Sequence, residues 1–275
     1  MPDYLTKSSS DKQPAICKRP DKTELKTETM KDYRFEICAN SVASCKAAQE
    51  GGADRVELCA GIPEGGTTPS YGMIKSARES ISIGLNVIIR PRGGDFLYSK
   101  DELKEMIYDI RLAKELGADG LVFGCLTPEG AIDKEAMKPL MEAAGDTPVT
   151  FHRAFDHSSD PLQALEDIIS LGCARILTSG CRPTALEGAA LLAQLVRKAG
   201  NRIIIMPGCG VNESNIAEIA RLSGAREFHF SAREPMESGM IFRNPDVVMG
   251  SEDDPYGTVQ TTARRVAATI KPLRS

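Results

Sequence analysis

Short apolar segments alternate with helical patterns eight times from Tyr33 onward. Such an alternation is typical of a parallel sheet in which a helix joins each strand to the next. The predicted strands are 35–39, 55–60, 86–90, 120–125, 149–153, 175–178, 202–206 and 227–232. The predicted helices are 41–50, 70–80, 101–116, 133–144, 160–171, 184–199, 212–222 and 258–270.

Eight strand–helix units in one chain of 275 residues indicate a closed (β/α)8 barrel. The rival, a doubly wound sheet, normally has fewer strands and a glycine-rich turn after the first one. No such turn follows Cys38. We therefore predict an α/β fold, a single-domain TIM-type barrel over residues 32–275. Residues 1–31 contain few groups to bury, and a disordered polar tail is expected there.

Charge and hydropathy narrow the class of protein. The net charge is −4 and both signs are mixed along the chain, which argues against a nucleic-acid partner. No apolar run reaches the roughly 18 residues of a membrane helix, and the N-terminus has no apolar signal-peptide core. A soluble cytoplasmic protein without a membrane partner is expected. Its eight cysteines form no C-x-x-C pair, and reduced thiols are expected in that compartment.

A Glu-x-Cys motif occurs in each of the first two predicted strands. Glu36 and Cys38 have their counterparts in Glu57 and Cys59, 21 residues later. Side chains at i and i+2 share one face of a strand, so each glutamate projects with its cysteine. If the strands are neighbours, roughly 4.8 Å apart, thiols at matching heights could converge on one soft metal ion. Alternatively, both cysteines are small buried apolar residues.

Further polar residues lie where active sites of such barrels form, at the carboxyl ends of the strands. They suggest acid–base chemistry on a small phosphorylated or carboxylated metabolite, or, alternatively, salt bridges that fill the barrel. The catalytic candidates are Glu36, Glu57, Arg90, His152 and His229. Loops after strands 7 and 8 commonly hold anions, and the anion-binding candidates are Arg92, Gly208, Gly210 and Ser231. Cys209 stands between two glycines of this loop and reduces its backbone freedom.

Several long motifs resemble the CutC copper-homeostasis family over residues 33 to about 250. They include Glu36-Ile37-Cys38, Gly51-Gly52-Ala53-Asp54-Arg55-Val56-Glu57-Leu58-Cys59 and Glu64-Gly65-Gly66-Thr67-Thr68-Pro69-Ser70. Others are Ile89-Arg90-Pro91-Arg92-Gly93-Gly94-Asp95-Phe96, Gly117-Ala118-Asp119-Gly120-Leu121-Val122-Phe123-Gly124, Phe151-His152-Arg153-Ala154-Phe155-Asp156 and Leu177-Thr178-Ser179-Gly180. Cys209, where the family has glycine, departs from the pattern.

The resemblance implies a TIM-type barrel that assembles as a homo-oligomer, a dimer or a tetramer, in the cytoplasm and the nucleus. It also implies a copper-homeostasis role with Cu(I) bound by Cys38 and Cys59. The first functional hypothesis is therefore a copper-homeostasis protein with a cysteine pair at the mouth of the barrel. The alternative is an enzyme for a small anionic metabolite, with copper binding incidental. A purely structural scaffold is disfavoured by the polar mouth.

Overall fold

The computed structural model describes residues 33–244, 246–247 and 256–274, and the tail predicted over 1–31 lies outside them. The strands are β1 (Arg34–Ala39), β2 (Arg55–Leu58), β3 (Gly84–Ile88), β4 (Gly120–Phe123), β5 (Val149–Phe151), β6 (Arg175–Thr178), β7 (Ile204–Pro207), β8 (Glu227–Phe230), β9 (Arg233–Met236) and β10 (Thr258–Thr261). The helices are α1 (Val42–Glu50), α2 (Tyr71–Ser80), α3 (Lys100–Glu115), α4 (Lys134–Ala144), α5 (Pro161–Ser170), α6 (Ala189–Ala199), α7 (Ile216–Ser223) and α8 (Ala263–Arg274), with a 3-10 helix at Arg153–His157.

Strands β1 to β8 form one parallel sheet in the order β7-β6-β5-β4-β3-β2-β1-β8. The two end strands, β7 and β8, contact each other, so the sheet is a nearly closed barrel. The helices that connect the strands surround it, as right-handed βαβ crossovers require. The predicted (β/α)8 barrel is confirmed.

The apolar core lies between the barrel and its helices. Strand side chains that face outward, such as Phe35, Val56 and Phe228, are fully buried against the helices. Side chains that alternate with them face the barrel interior, where many are polar. The polar side chains therefore lie inside the barrel, while apolar side chains pack between the barrel and its helices.

Local capping explains why the helices begin where they do. The side chains of Ser41, Ser70, Asp133 and Asp160 accept hydrogen bonds from main-chain N–H groups of the first turns of α1, α2, α4 and α5. Ser99 forms a capping box at α3 with Glu102 three residues later. The first residues of α1 to α5 agree with the predicted starts to within one residue.

Several predicted boundaries are wrong, among them the start of α7, which begins at Ile216 rather than at 212. Residues 258–261 are not the start of the last helix, because β10 pairs with β9 in a two-stranded antiparallel ribbon. Helix α6 begins at Ala189 rather than at 184. Strand β5 ends at Phe151, and His152 caps the 3-10 helix instead of lying in the strand. In the parts of the chain that the structure describes, no helix is long and apolar enough to span a membrane.

Candidate functional site

A buried polar cluster forms the floor of the barrel interior around Glu36. Parallel pairing places Glu36 beside Arg55 on β2 and beside His229 on β8. Its carboxylate, fully buried, accepts hydrogen bonds from Arg55 Nε at 2.6 Å and Asn86 Nδ2 at 2.8 Å, and it lies 2.8 Å from His229 Nδ1. Burial alone would raise the pKa of Glu36, but the Arg55 charge and the His229 hydrogen bond hold it well below its ordinary value.

The two cysteines of the repeated motif meet directly above this floor. Strands β1 and β2 are neighbours as expected, but the register sets Cys38 opposite Glu57. Cys59 thus lies two residues farther along than the expected matching height. The two Sγ atoms are nevertheless 3.4 Å apart. Cys59 is buried against the apolar Ile88 and Val122, whereas Cys38 is half-buried.

Cys38 also belongs to a second group of donors, which we call the mixed triad: Cys38, Glu57 and His229. The ligand atoms of these three residues all lie within 4.8 Å of one another. His229 links the triad to the floor, because Nδ1 contacts Glu36 while Nε2 lies 3.5 Å from Glu57 Oε2. The triad offers a soft sulfur, a borderline nitrogen and a hard oxygen, a set that several transition metals accept.

Burial and mutual contact set the protonation of the triad. Burial raises the pKa of Glu57 to about 8, although the charge of His229 opposes the shift. Burial opposes protonation of His229, yet the pKa of its imidazole is raised well above its ordinary value by Glu57, Cys38 and Glu36. The hydrogen bond with Cys59, followed by burial, raises the pKa of the Cys38 thiol. The residues therefore hold protons that a bound metal ion would displace.

A cavity of about 620 Å³ opens above the mixed triad at the carboxyl ends of the strands, the mouth of the barrel. A smaller pocket of about 140 Å³ adjoins it between Cys38 and Cys59. The large cavity is lined by these sequence-predicted residues: Cys38, Glu57, Arg90, His152, Gly210, Ser231 and His229. Glu36, Arg92 and Gly208 are not among its lining residues.

The two arginines after β3, predicted as catalytic and anion-binding candidates, form hydrogen bonds within the neighbouring loops. Arg90 is buried, donates to the carbonyls of Glu64, Gly66 and Gly94, and packs on Phe96. Arg92 lies on the outer side and donates to the carboxylates of Glu102 and Asp95. Both guanidinium groups thus shape the β3 loop.

The predicted glycine loop after β7 is also partly committed. The Gly208 N–H donates to the Thr178 carbonyl, which ties this loop to β6. Cys209 adopts φ +74°, in the left-handed region that favours glycine, so the chain keeps the glycine-like conformation despite the substitution in the pattern. Gly210 and Ser231 remain at the cavity wall.

Sequence reasoning missed several residues that complete the site. Arg55 and Asn86 hold Glu36, and Arg233 Nη2 donates to Cys38 Sγ at 3.0 Å. Arg265 reaches the cavity from α8. A signal existed for Asn86, a polar residue inside an apolar run, because buried polar groups need partners. Local pattern gives no signal for Arg233 and Arg265, which arrive through long-range packing.

These observations define a class: a parallel (β/α)8 barrel with a buried thiol, carboxylate and imidazole cluster beneath a cavity at its mouth. The family model described as the CutC family matches residues 33–234. The chain belongs to the CutC family. A CutC family protein of Bacteroides thetaiotaomicron is 59% identical over 249 residues, 90% of this chain and 100% of that protein. A human protein named copper homeostasis protein cutC homolog is 53% identical over 219 residues, 80% of each chain.

Solved structures agree with the fold. A crystal structure from Streptococcus agalactiae, described as a candidate copper homeostasis protein CutC, has a TM-score of 0.69 at 39% identity and covers 72% of this chain and 98% of that chain. A thiamine phosphate pyrophosphorylase from Pyrococcus furiosus has a TM-score of 0.52 at 18% identity, covering 89% of this chain and 96% of the other. At that identity the second likeness concerns the barrel alone.

Proposed function

We propose that the protein serves copper homeostasis by binding Cu(I) through the thiolates of Cys38 and Cys59. The observation that carries the proposal is the 3.4 Å approach of the two sulfur atoms at the mouth of the barrel. Thiolates are soft ligands and select Cu(I) over the harder divalent ions. The name of the human relative, which refers to copper homeostasis, supports the same role.

The surroundings of the pair suit a monovalent ion. Arg233 Nη2 donates to Cys38 Sγ at 3.0 Å, so a guanidinium charge lies beside the sulfur and balances thiolate charge there. Cys59 lies in an apolar pocket with Ile88, which excludes water from one side of the pair. A buried copper ion held there would be shielded from water while Cys38 faces the cavity.

The test is an anaerobic titration of the reduced protein with Cu(I) against a competing chelator. Cys38→Ser/Cys59→Ser should lose about a hundredfold or more in affinity, equivalent to about 2.8 kcal/mol. Cys38→Ala/Cys59→Ala repeats the test without burying a hydroxyl. Cys181→Ser is the matched control, because Cys181 is also half-buried but is not a lining residue of the cavity.

Full Cu(I) affinity in both double variants, at unchanged urea midpoints, would refute the assignment to this cysteine pair. Loss of affinity in Cys181→Ser as well would point to a general loss of thiols rather than to a site. Glu57→Gln separates the cysteine pair from the mixed triad, since only triad binding needs that carboxylate.

Assembly as a dimer or tetramer, in the cytoplasm and nucleus, belongs to the same proposal. The segment after β9 supports assembly, because Ile241 is fully exposed and Phe242 is 74% exposed. Adjacent exposed apolar side chains of this size are typical of contact surfaces. Light scattering after gel filtration should give twice or four times the chain mass, and Ile241→Asp/Phe242→Asp should reduce it.

A further inference from the structure

The cavity above the cysteine pair is much larger than a metal ion requires. Cu(I) held between two sulfur atoms would need only the small pocket of about 140 Å³ near Cys59. The remaining volume, about 620 Å³, falls within the range of cavities that bind small organic molecules. Cys38 lines both the small pocket and the large cavity. A molecule in the cavity would therefore contact the thiol that faces it.

Among the charged side chains that line the cavity, arginines outnumber glutamates, and two of these arginines, Arg153 and Arg265, also pair with Asp156 and Glu213 outside the lining. Four arginines and two glutamates line the cavity: Arg90, Arg153, Arg233, Arg265, Glu57 and Glu64. A cavity of this composition selects an anion.

The cationic side chains are held in place by the protein. Arg153 Nε donates to Asp156 at 2.7 Å, and its Nη2 donates to Ser179 at 3.1 Å. Arg265 Nη1 donates to the main-chain carbonyl of Arg233 at 2.7 Å. Because these contacts fix the guanidinium groups before any ligand arrives, less side-chain entropy is lost on binding.

Two buried hydrogen-bond donors at the cavity lack an acceptor within the described part of the chain. His152 is 4% exposed, and its Nδ1 accepts from the Ala154 N–H, so its Nε2 carries the proton. Among the residues that the structure describes, neither His152 Nε2 nor Arg233 Nε has a hydrogen-bond partner. Buried donors without partners are costly, and the oxygens of an anion could supply them.

The positive groups lie on opposite sides of the mouth. Strand β5 lies four strands from β1 in either direction around the barrel, so Arg153, directly after β5, lies across the mouth from Cys38. Arg233 is on the near side, beside Cys38. A ligand that contacts both sides must carry an anionic group at each end, and its end beside Arg233 lies next to the Cys38 thiol.

We propose that the cavity binds a small thiol with a carboxylate on either side of its sulfur and receives Cu(I) from it. The inference rests on the proposed copper function. Low-mass thiols of this chemistry, glutathione above all, keep cellular thiols reduced. A soft sulfur is also the natural carrier for Cu(I). The arginines would hold the two carboxylates, and the sulfur would then lie near Cys38.

The exchange needs no redox partner. Each sulfur–copper bond of the incoming complex is replaced by a bond from Cys38 or Cys59. Each cysteine proton passes to a departing thiolate, and the copper remains Cu(I) throughout. The carrier leaves as free thiol.

The first arm of the test uses metal-free reduced protein titrated with reduced glutathione in a calorimeter. Saturable binding is expected, and Arg153→Gln and Arg265→Gln should each weaken it about tenfold, as loss of a charge-assisted hydrogen bond does. The diethyl ester of glutathione, which lacks both carboxylate charges, should bind more weakly by a similar factor. Arg202→Gln is the matched control, since it removes an ion pair between the segment after α6 and Glu166 of α5, and Arg202 does not line the cavity. Cys38→Ser/Cys59→Ser should still bind glutathione.

The second arm compares the rates of Cu(I) uptake from glutathione and from uncharged 2-mercaptoethanol. Uptake from glutathione should be faster in the wild type, and the two rates should converge in Arg153→Gln. Absence of glutathione binding, or equal rates in the wild type, overturns the inference. So does inorganic phosphate binding as tightly as glutathione, which would instead indicate a phosphorylated metabolite. If Cu(I) still binds the cysteine pair, only this inference fails; if Cu(I) binds from neither source, the proposed function fails with it.

Discussion

At the scale of single residues, His152 is the clearest case of a group that folding forces into one protonation state. Burial, together with the nearby Arg90 charge, lowers the pKa of its imidazole to about 3. In an unfolded chain the pKa of histidine is about 6.5. Between these values the unfolded state binds a proton that the folded state does not, so the free energy of unfolding rises with pH across this window.

His152→Asn should therefore flatten the pH dependence of stability. The asparagine Oδ1 can still accept from the Ala154 N–H, which His152 Nδ1 does now. Between pH 4.5 and 6 the wild type should gain about 1 to 2 kcal/mol more stability than the variant, because one group contributes up to about 1.4 kcal/mol per pH unit. Urea unfolding at several pH values measures the difference. His157→Asn, which removes an exposed imidazole, is the control; an unchanged slope in His152→Asn would show that His152 does not titrate in this window.

The residue scale also shows what sequence can and cannot foresee in the site. The alternation of side chains along a strand correctly predicted that Glu36 and Cys38 project from the same face of β1, because this alternation depends only on neighbouring residues. The relative heights of Cys38 and Cys59 depend on the register of β1 and β2, which the sequence of either strand does not encode. Arg90 was foreseen at the mouth, but its partners are three carbonyls of its own loops, which no residue-type pattern reveals.

At the scale of elements, the connection from β6 to α6 is packed backbone against backbone. Gly188, which precedes α6, has no room for a side chain: an added Cβ would lie 1.8 Å from the Ser179 carbonyl oxygen. Helix α6 starts directly after this glycine, at Ala189 and not at 184, where helical periodicity placed it. The contact also fixes Ser179, whose hydroxyl orients Arg153 at the cavity.

Gly188→Ala should cost about 3 kcal/mol, the upper range for overpacking, because the opposing atom is backbone and cannot move aside alone. The urea midpoint should fall accordingly, and anion binding through Arg153 should weaken in parallel. Gly72→Ala in α2 is the matched control: nothing lies within 4 Å of its added Cβ, and removing a helical glycine should be neutral or stabilising by up to about 1 kcal/mol. Equal midpoints for Gly188→Ala and the wild type would show that the β6–α6 contact is looser than the structure indicates.

The C-terminal elements show where hydrophobic periodicity predicts the wrong secondary structure. Residues 258–261 pair with β9 because β-branched Thr and Val suit a ribbon, although helical spacing had extended α8 over them. That ribbon begins at Arg233, and α8 carries Arg265. The segment predicted wrongly, 258–261, therefore pairs with the strand that carries one cavity arginine, Arg233, and leads into the helix that carries another, Arg265.

At the scale of the whole molecule, the barrel was predictable because each strand–helix unit repeats the same local signal. Closure was expected from the count of eight units, but the contacts that hold the seam between the two end strands, β7 and β8, are not visible in that signal. Ion pairs between side chains inside the barrel connect the strands on the two sides of this seam. Glu227 on β8 accepts from Arg55 Nη2 on β2 at 2.5 Å and from Arg175 Nε on β6 at 2.8 Å. One carboxylate thus joins strands on both sides of the β7–β8 seam.

Glu227→Gln should weaken this closure. It leaves two largely buried guanidinium groups without their shared carboxylate, and breaking a buried ion pair on one side costs about 3 kcal/mol or more. Amide exchange should accelerate first in β7 and β8, because the remaining strands keep their ladders, while β3 and β4 should change less. Glu166→Gln, which breaks the exposed pair with Arg202, should cost under about 1 kcal/mol. Uniform acceleration in all eight strands would mean that the barrel opens as a single unit and that the seam is not its weakest line.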